Sequence, residues 1–136
     1  MMPQSLRQFV RERAGFRCEY CHLPDFAAAT SAFHVEHVIA RQHGGADDPD
    51  NRAWSCHRCN LYKGPNLSGR DPLTGKIVRL FDPRRQSWKR HFEWYGAVLA
   101  GRTQIGRATI AVLGINDPQR VELRQMLMDE GEWVGA

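Results

Sequence analysis

The four cysteines of the chain form two Cys-x-x-Cys pairs, Cys18 with Cys21 and Cys56 with Cys59. Two residues between thiols let one tight turn present both sulfur atoms to one metal ion, and two such turns complete a tetrahedral shell. This spacing predicts a structural zinc site, because four protein ligands leave no coordination position open for a substrate. An iron site or a redox-active pair uses similarly spaced cysteines, and these are the alternatives.

The segment between the two Cys pairs and just after the second pair contains imidazole, carboxylate and amide side chains, together with several glycines and a lysine. In chain order these residues are His34, Glu36, His37, Gly44, Gly45, Asn51, Asn60, Lys63 and Gly64. Over residues 16–64 this pattern resembles the HNH endonuclease family in its zinc-knuckle form. Residues 65–115 are similar to the tail of some bacterial HNH proteins.

The resemblance implies a ββα-metal (His-Me finger) core, in which a hairpin and a helix hold one divalent ion over the scissile phosphate. It implies His37 as the general base, Asn51 as the residue that orients His37, and Glu36 and Asn60 as ligands of Mg²⁺ or Mn²⁺. Hydrolysis of a phosphodiester needs such a base and such a cation. Two positions depart from the family pattern, since Glu36 stands where Asp or His is common and Ala40 where Pro is common.

Each of these residues also has a structural interpretation. His37 could be a hydrogen-bonded core histidine and Asn51 a turn residue. Side chains alternate along a strand, so Glu36 and His37 should lie on opposite faces unless the strand end is twisted or bulged. The same alternation puts His34 on the face of Glu36, which makes His34 a secondary candidate ligand of the catalytic ion.

The pattern of the whole chain predicts the elements that position these residues. We expect a first helix that is capped by Ser5 and ends just before Gly15, a strand over residues 33–39, a helical turn at Pro49 and a helix from near Cys59 that ends by Gly64. Further along we expect a strand over residues 88–94 that turns at Tyr95 and Gly96, then one helix capped by Thr103 and another that starts with Asp117 and Pro118. The predicted fold class is α+β, with a ββα-metal core, a four-cysteine zinc knuckle and a C-terminal β-hairpin followed by helices.

Basic and aromatic residues alternate between positions 84 and 107, where Glu93 is the single acid. This composition suits phosphate contacts, although a solvated face over an aromatic core explains it equally well. The predicted nucleic-acid ligands are Lys63, Arg84, Arg85, Lys89, Arg90 and Arg107.

The bulk composition sets wide bounds. A length of 136 residues predicts one domain over residues 1–136, with a core at 16–64 and an extension at 65–136. The net charge of +4 permits an anionic partner without identifying one. We expect a cytoplasmic protein without membrane segments, because the N-terminus lacks a signal-like apolar run.

The sequence therefore predicts a metal-dependent endonuclease that cuts DNA. The first alternative is a non-catalytic zinc-ribbon module that binds nucleic acid, and the second is a rubredoxin-like electron carrier. The acid-His pair and the spaced asparagines favour the enzyme, because a binding module needs only the cysteines and the basic residues.

Overall fold

The computed structural model describes residues 4–28 and 32–133 of the chain. The helices within these residues are α1 (Gln4–Arg13), α2 (His57–Lys63), α3 (Trp88–His91), α4 (Gln104–Leu113) and α5 (Pro118–Asp129). The strands are β1 (His34–His37), β2 (Arg52–Ser55), β3 (Ser68–Arg70), β4 (Ile77–Arg79), β5 (Phe92–Tyr95) and β6 (Val98–Gly101). This mixture of helices and small antiparallel sheets confirms the predicted α+β class. No helix in the described part of the chain is long and apolar enough to span a membrane.

The chain divides into two compact units. The first unit comprises residues 1–65 and 82–85, and the second comprises residues 66–81 and 86–136. The four cysteines, the acid-His pair and both asparagines of the predicted site all belong to the first unit. The single domain expected from the chain length stays a prediction.

In the first unit, β1 and β2 form an antiparallel hairpin that is covered by two helices. α1 packs against β2 and α2 packs against β1. All four residues of β2 are buried, and the ring of Trp54 stacks on Phe33 with 5.4 Å between ring centroids. The buried carboxylate of Asp25 accepts bonds from the Arg11 side chain at 2.6 Å and from the Trp54 indole at 3.2 Å. These contacts join α1 and the residues after the first Cys pair to the hairpin.

In the second unit, α4 packs on β3, β4 and β6. Strands β3 and β4 form one antiparallel hairpin, and β5 and β6 form another, which confirms the predicted C-terminal hairpin. The Thr103 side chain caps α4 by accepting the Gly106 N–H at 3.1 Å. Residue 106 must be glycine, because a Cβ there would lie 2.1 Å from the carbonyl oxygen of His91.

The strand predicted over residues 88–94 is half correct. Trp88–His91 is a helical turn, and the strand begins at Phe92. The helical turn brings the Trp88 ring against Phe92, four residues later, with 5.1 Å between ring centroids. The alternation of aromatic and basic residues did not reveal this contact. The helices predicted after Thr103 and Asp117 are confirmed.

Candidate functional site

The four cysteine thiols converge in the first unit. Their sulfur atoms lie within 4.8 Å of one another, and all four residues are buried. The Cys21 and Cys56 sulfurs are 3.7 Å apart. A tetrahedron with Zn–S distances of about 2.3 Å has S–S edges of about 3.8 Å. The donor set and its dimensions therefore fit a structural zinc ion.

Local backbone turns explain how each Cys-x-x-Cys pair presents its sulfurs. The Tyr20 N–H points at the Cys18 sulfur at 3.4 Å, and the Cys59 N–H points at the Cys56 sulfur at 3.5 Å. Cys56 is also the N-cap of α2, so the second pair opens the helix that carries Asn60. Burial raises the pKa of the Cys18 and Cys59 thiols well above the ordinary value. A bound cation would supply the positive charge that four thiolates need in this setting.

The register of the β1–β2 hairpin settles the orientation of the acid-His pair. Glu36 pairs with Ala53 and His37 pairs with Arg52 in an unbroken antiparallel ladder. The bulge that would bring both side chains to one face is absent from this hairpin, so they lie on opposite faces. Glu36 is buried, whereas the side chain of His37 is 20% exposed.

The Glu36 carboxylate lies in a polar pocket inside the first unit. The Tyr20 hydroxyl donates a hydrogen bond to it, and the Lys63 ammonium group is 3.6 Å away. Burial raises the pKa of Glu36 to about 7, which the positive charge of Lys63 partly opposes. This carboxylate is therefore held between a phenol and an ammonium group.

Lys63 does not lie where a phosphate ligand was predicted. It is 2% exposed, and its ammonium group donates to the carbonyl oxygen of Val38 at 2.9 Å in addition to its contact with Glu36. The sequence pattern could not separate this buried lysine from a surface lysine. Its role in this structure is to join the end of α2 to the end of β1.

The His37 ring is paired with a carboxylate that is not part of the predicted site. Its Nε2 atom lies 2.7 Å from Oδ1 of Asp47, which also accepts a bond from the Arg41 side chain at 2.8 Å. The hydrogen bond from Arg41 and, to a smaller extent, the one from His37 lower the pKa of Asp47 to about 2, so this carboxylate is ionised. The only sequence signal was the run of acids that follows Gly44 and Gly45.

Asn51 acts on the backbone beyond His37 and not on its ring. Its side chain accepts the Ile39 N–H at 2.9 Å and donates to the carbonyl oxygens of Ile39 at 2.9 Å and Ala46 at 2.7 Å. Gly45 permits this close approach, since a Cβ there would lie 1.7 Å from the Ile39 oxygen. Asn51 thus fixes both ends of the loop that carries Arg41 and leads to Asp47.

His34 contacts α2, the helix that contains Asn60. The Nε2 atom of His34 is 3.3 Å from Nδ1 of His57 at the start of α2. His57 contacts His34, and Lys63 contacts Glu36. Asn60 lies between His57 and Lys63 along the helix. Among the described residues, the four thiols are the one group of three or more His, Cys, Asp or Glu side chains spaced for a metal.

The predicted basic ligands fall in different environments. Arg84 is paired with Glu19, and Arg85 is exposed on the same short segment of the first unit. Lys89 and Arg90 are exposed on α3 of the second unit. Arg107 instead holds the buried carboxylate of Asp71 through two bonds of 2.9 and 3.0 Å. The guanidinium of Arg107 is therefore engaged inside its own unit.

Comparison with known proteins finds a family similarity over the candidate site. Residues 18–66 match the family model described as HNH endonuclease. No curated protein and no solved structure matches the chain. The matched segment contains all four cysteines, the acid-His pair on β1, Asn51 and the whole of α2. The resemblance to the HNH endonuclease family is thus confirmed over residues 18–66, which carry the candidate site.

Proposed function

We propose that this protein is a metal-dependent endonuclease that hydrolyses DNA phosphodiester bonds, with His37 as the general base. The observation that carries the proposal is the contact of His37 with the ionised carboxylate of Asp47 inside the family-matched segment. A hydrolase of this kind needs an accessible imidazole in a defined orientation. His37 is partly exposed and has such an orienting partner.

The hydrogen bond to Asp47 assigns a role to each ring nitrogen of His37. In this proposal Nε2–H donates a hydrogen bond to the Asp47 carboxylate, and the lone pair of Nδ1 is then available to accept a proton from water. The arrangement follows the logic of a base held by a third group. In this proposal Asp47 orients the ring, and Asn51 holds the loop between His37 and Asp47 in place.

Glu36, on β1, and Asn60, on α2, are the proposed oxygen ligands of Mg²⁺ or Mn²⁺, with His34 as a secondary ligand. Carboxylate and amide oxygens suit these hard cations, and two protein ligands leave positions for water and phosphate. The ion, when bound, would neutralise charge that develops on the phosphate. Glu36 would then exchange the ammonium group of Lys63 for the metal as its counter-charge.

One observation favours the second candidate, a zinc-ribbon module that binds nucleic acid without cutting it. The contacts of Glu36 with Tyr20 and Lys63 give this carboxylate a structural role that requires no catalytic ion. Such a module would keep the cysteine site and its basic surface but would have no use for an accessible base.

Incubation of zinc-loaded protein with supercoiled plasmid, with and without Mg²⁺ or Mn²⁺, separates the two functions. Endonuclease activity predicts nicked or linear product that needs the divalent ion and is lost in His37→Ala. Binding of the plasmid with no cleavage under any divalent ion would favour the zinc-ribbon module. The His37→Ala protein should keep its zinc, because His37 is not part of the thiol cluster.

A further inference from the structure

A cleft in the first unit brings together three arginines from two distant parts of the sequence. It has a volume of about 530 Å³ and is lined by Arg13, Asp50, Pro83, Arg84 and Arg85. Arg13 ends α1, whereas Arg84 and Arg85 come from the short segment of residues 82–85 that belongs to this unit. The lining thus carries three guanidinium groups and one carboxylate.

Two of the three guanidinium groups are fixed in place. The Arg13 side chain donates to the carbonyl oxygens of Pro49 at 3.0 Å and Arg52 at 2.8 Å. Arg84 is paired with Glu19, which itself accepts the Trp54 N–H at 2.8 Å. Because these groups are already ordered, a ligand would not have to immobilise them, which reduces the entropic cost of binding.

The third guanidinium group is free to reach a ligand. Arg85 is exposed, and no hydrogen bond of its side chain is seen among the described residues. Its backbone N–H points at the Asp82 carboxylate at 3.3 Å, and the backbone N–H of Arg84 points at the same carboxylate at 2.8 Å. This turn holds both side chains at the cleft, and the Arg85 guanidinium group remains available to a ligand.

The like charges are crowded in a way that favours an anion. Partial burial lowers the pKa of Arg13 below its ordinary value, and the charge of Arg84 lowers it further. An anion in the cleft would relieve this repulsion. Guanidinium groups match the oxygen geometry of phosphate, and the volume lies within the range of small-ligand sites.

The cleft is joined directly to the candidate active site. Arg13 bonds the carbonyl of Arg52, and Arg52 is the cross-strand partner of His37. Asp50 precedes Asn51, which fixes the loop beyond His37. We propose that this arginine cleft binds a backbone phosphate of the nucleic acid next to the one that is cut. The proposal rests on the proposed function for the identity of the substrate.

Binding of a fluorescent DNA duplex to zinc-loaded protein, without Mg²⁺ or Mn²⁺, tests the cleft separately from catalysis. Arg85→Gln should weaken binding about tenfold and reduce the salt slope by about 0.9, the values for one lost charged contact. Asp50→Asn should act in the opposite direction and tighten binding by about two- to fivefold. Arg79→Gln, which removes the same charge from an exposed residue of β4, is the matched control and should change the Kd less than about twofold.

Equal effects of Arg85→Gln and Arg79→Gln, with no tightening in Asp50→Asn, would overturn the proposal. A calorimetric titration with inorganic phosphate separates free phosphate from nucleic acid. Saturable phosphate binding that needs Arg85, together with DNA binding that Arg85→Gln leaves unchanged, would also overturn it.

Plasmid cleavage by the same variants distinguishes failure of the cleft proposal from failure of the proposed nuclease function. A wild-type protein that binds through the cleft but never cuts refutes only the nuclease, and cleavage that is indifferent to Arg85 and Asp50 refutes only the cleft.

Discussion

The contact between His37 and Asp47 predicts that the two residues act as one unit in catalysis. A double-mutant cycle made of His37→Ala, Asp47→Asn and the double variant measures this coupling. If His37 is the base and Asp47 acts only by orienting it, removal of the carboxylate charge has no further effect once the imidazole is gone. The double variant should then be as slow as His37→Ala alone.

The structure sets the expected magnitudes. Loss of a positioned base costs at least about a hundredfold in rate, or about 2.7 kcal/mol of transition-state stabilisation. The side chain of Asp47 is 60% exposed and also bonded to Arg41, so solvent screens its influence on His37. We therefore expect about a tenfold loss for Asp47→Asn, well below the loss for His37→Ala. The coupling between the two residues should equal this tenfold effect.

The assay is single-turnover nicking of supercoiled plasmid at saturating protein and saturating Mg²⁺ or Mn²⁺. Asp48→Asn is the matched control, because Asp48 is an exposed acid next to Asp47 and its removal changes the net charge equally. Asp48→Asn should keep the wild-type rate, and every variant should keep its zinc content and DNA affinity. Additive losses, giving about a thousandfold in the double variant, would refute the assignment of Asp47 as the residue that orients the base.

Three further predictions follow from other contacts. Glu36→Gln should raise the Mg²⁺ concentration for half-maximal cleavage with partial rescue by Mn²⁺, because it keeps an oxygen but loses the charge; an unchanged metal titration would exclude Glu36 as a ligand. Cys59→Ser should lose the zinc ion and cooperative unfolding together, measured by metal analysis and thermal denaturation, and a stably folded zinc-free variant would contradict a structural site. Arg107 holds the pKa of Asp71 below its usual range, so this carboxylate stabilises the fold above its ordinary pKa, about 4, and loses that effect as the pH falls. The difference in urea midpoint between wild type and Asp71→Asn should accordingly shrink between pH 5 and pH 2, and a constant difference would argue against the pairing.

Short-range chemistry was readable from the sequence because it depends on spacing along the chain. Such local patterns are the two Cys-x-x-Cys turns, the order of Glu36, His37 and Asn51, the cap at Thr103 and the helix start at Asp117 and Pro118. Strand alternation also predicted that Glu36 and His37 face opposite sides, and the unbroken register of the hairpin bears this out. Alternation alone does not indicate which face is buried or which side chains contact the residues on that face.

The tertiary structure decided the partners, because they come from residues far apart in the chain. Lys63 has the sequence signature of a surface lysine, yet packing of α2 on β1 buries it against Glu36. Asp47 becomes the partner of His37 only when the loop held by Asn51 folds back on β1. Arg13 joins Arg84 across some seventy residues in between, an arrangement that no local periodicity specifies. Composition and spacing thus determined which chemical groups are present, and burial in a folded core determined which of them are left free to act.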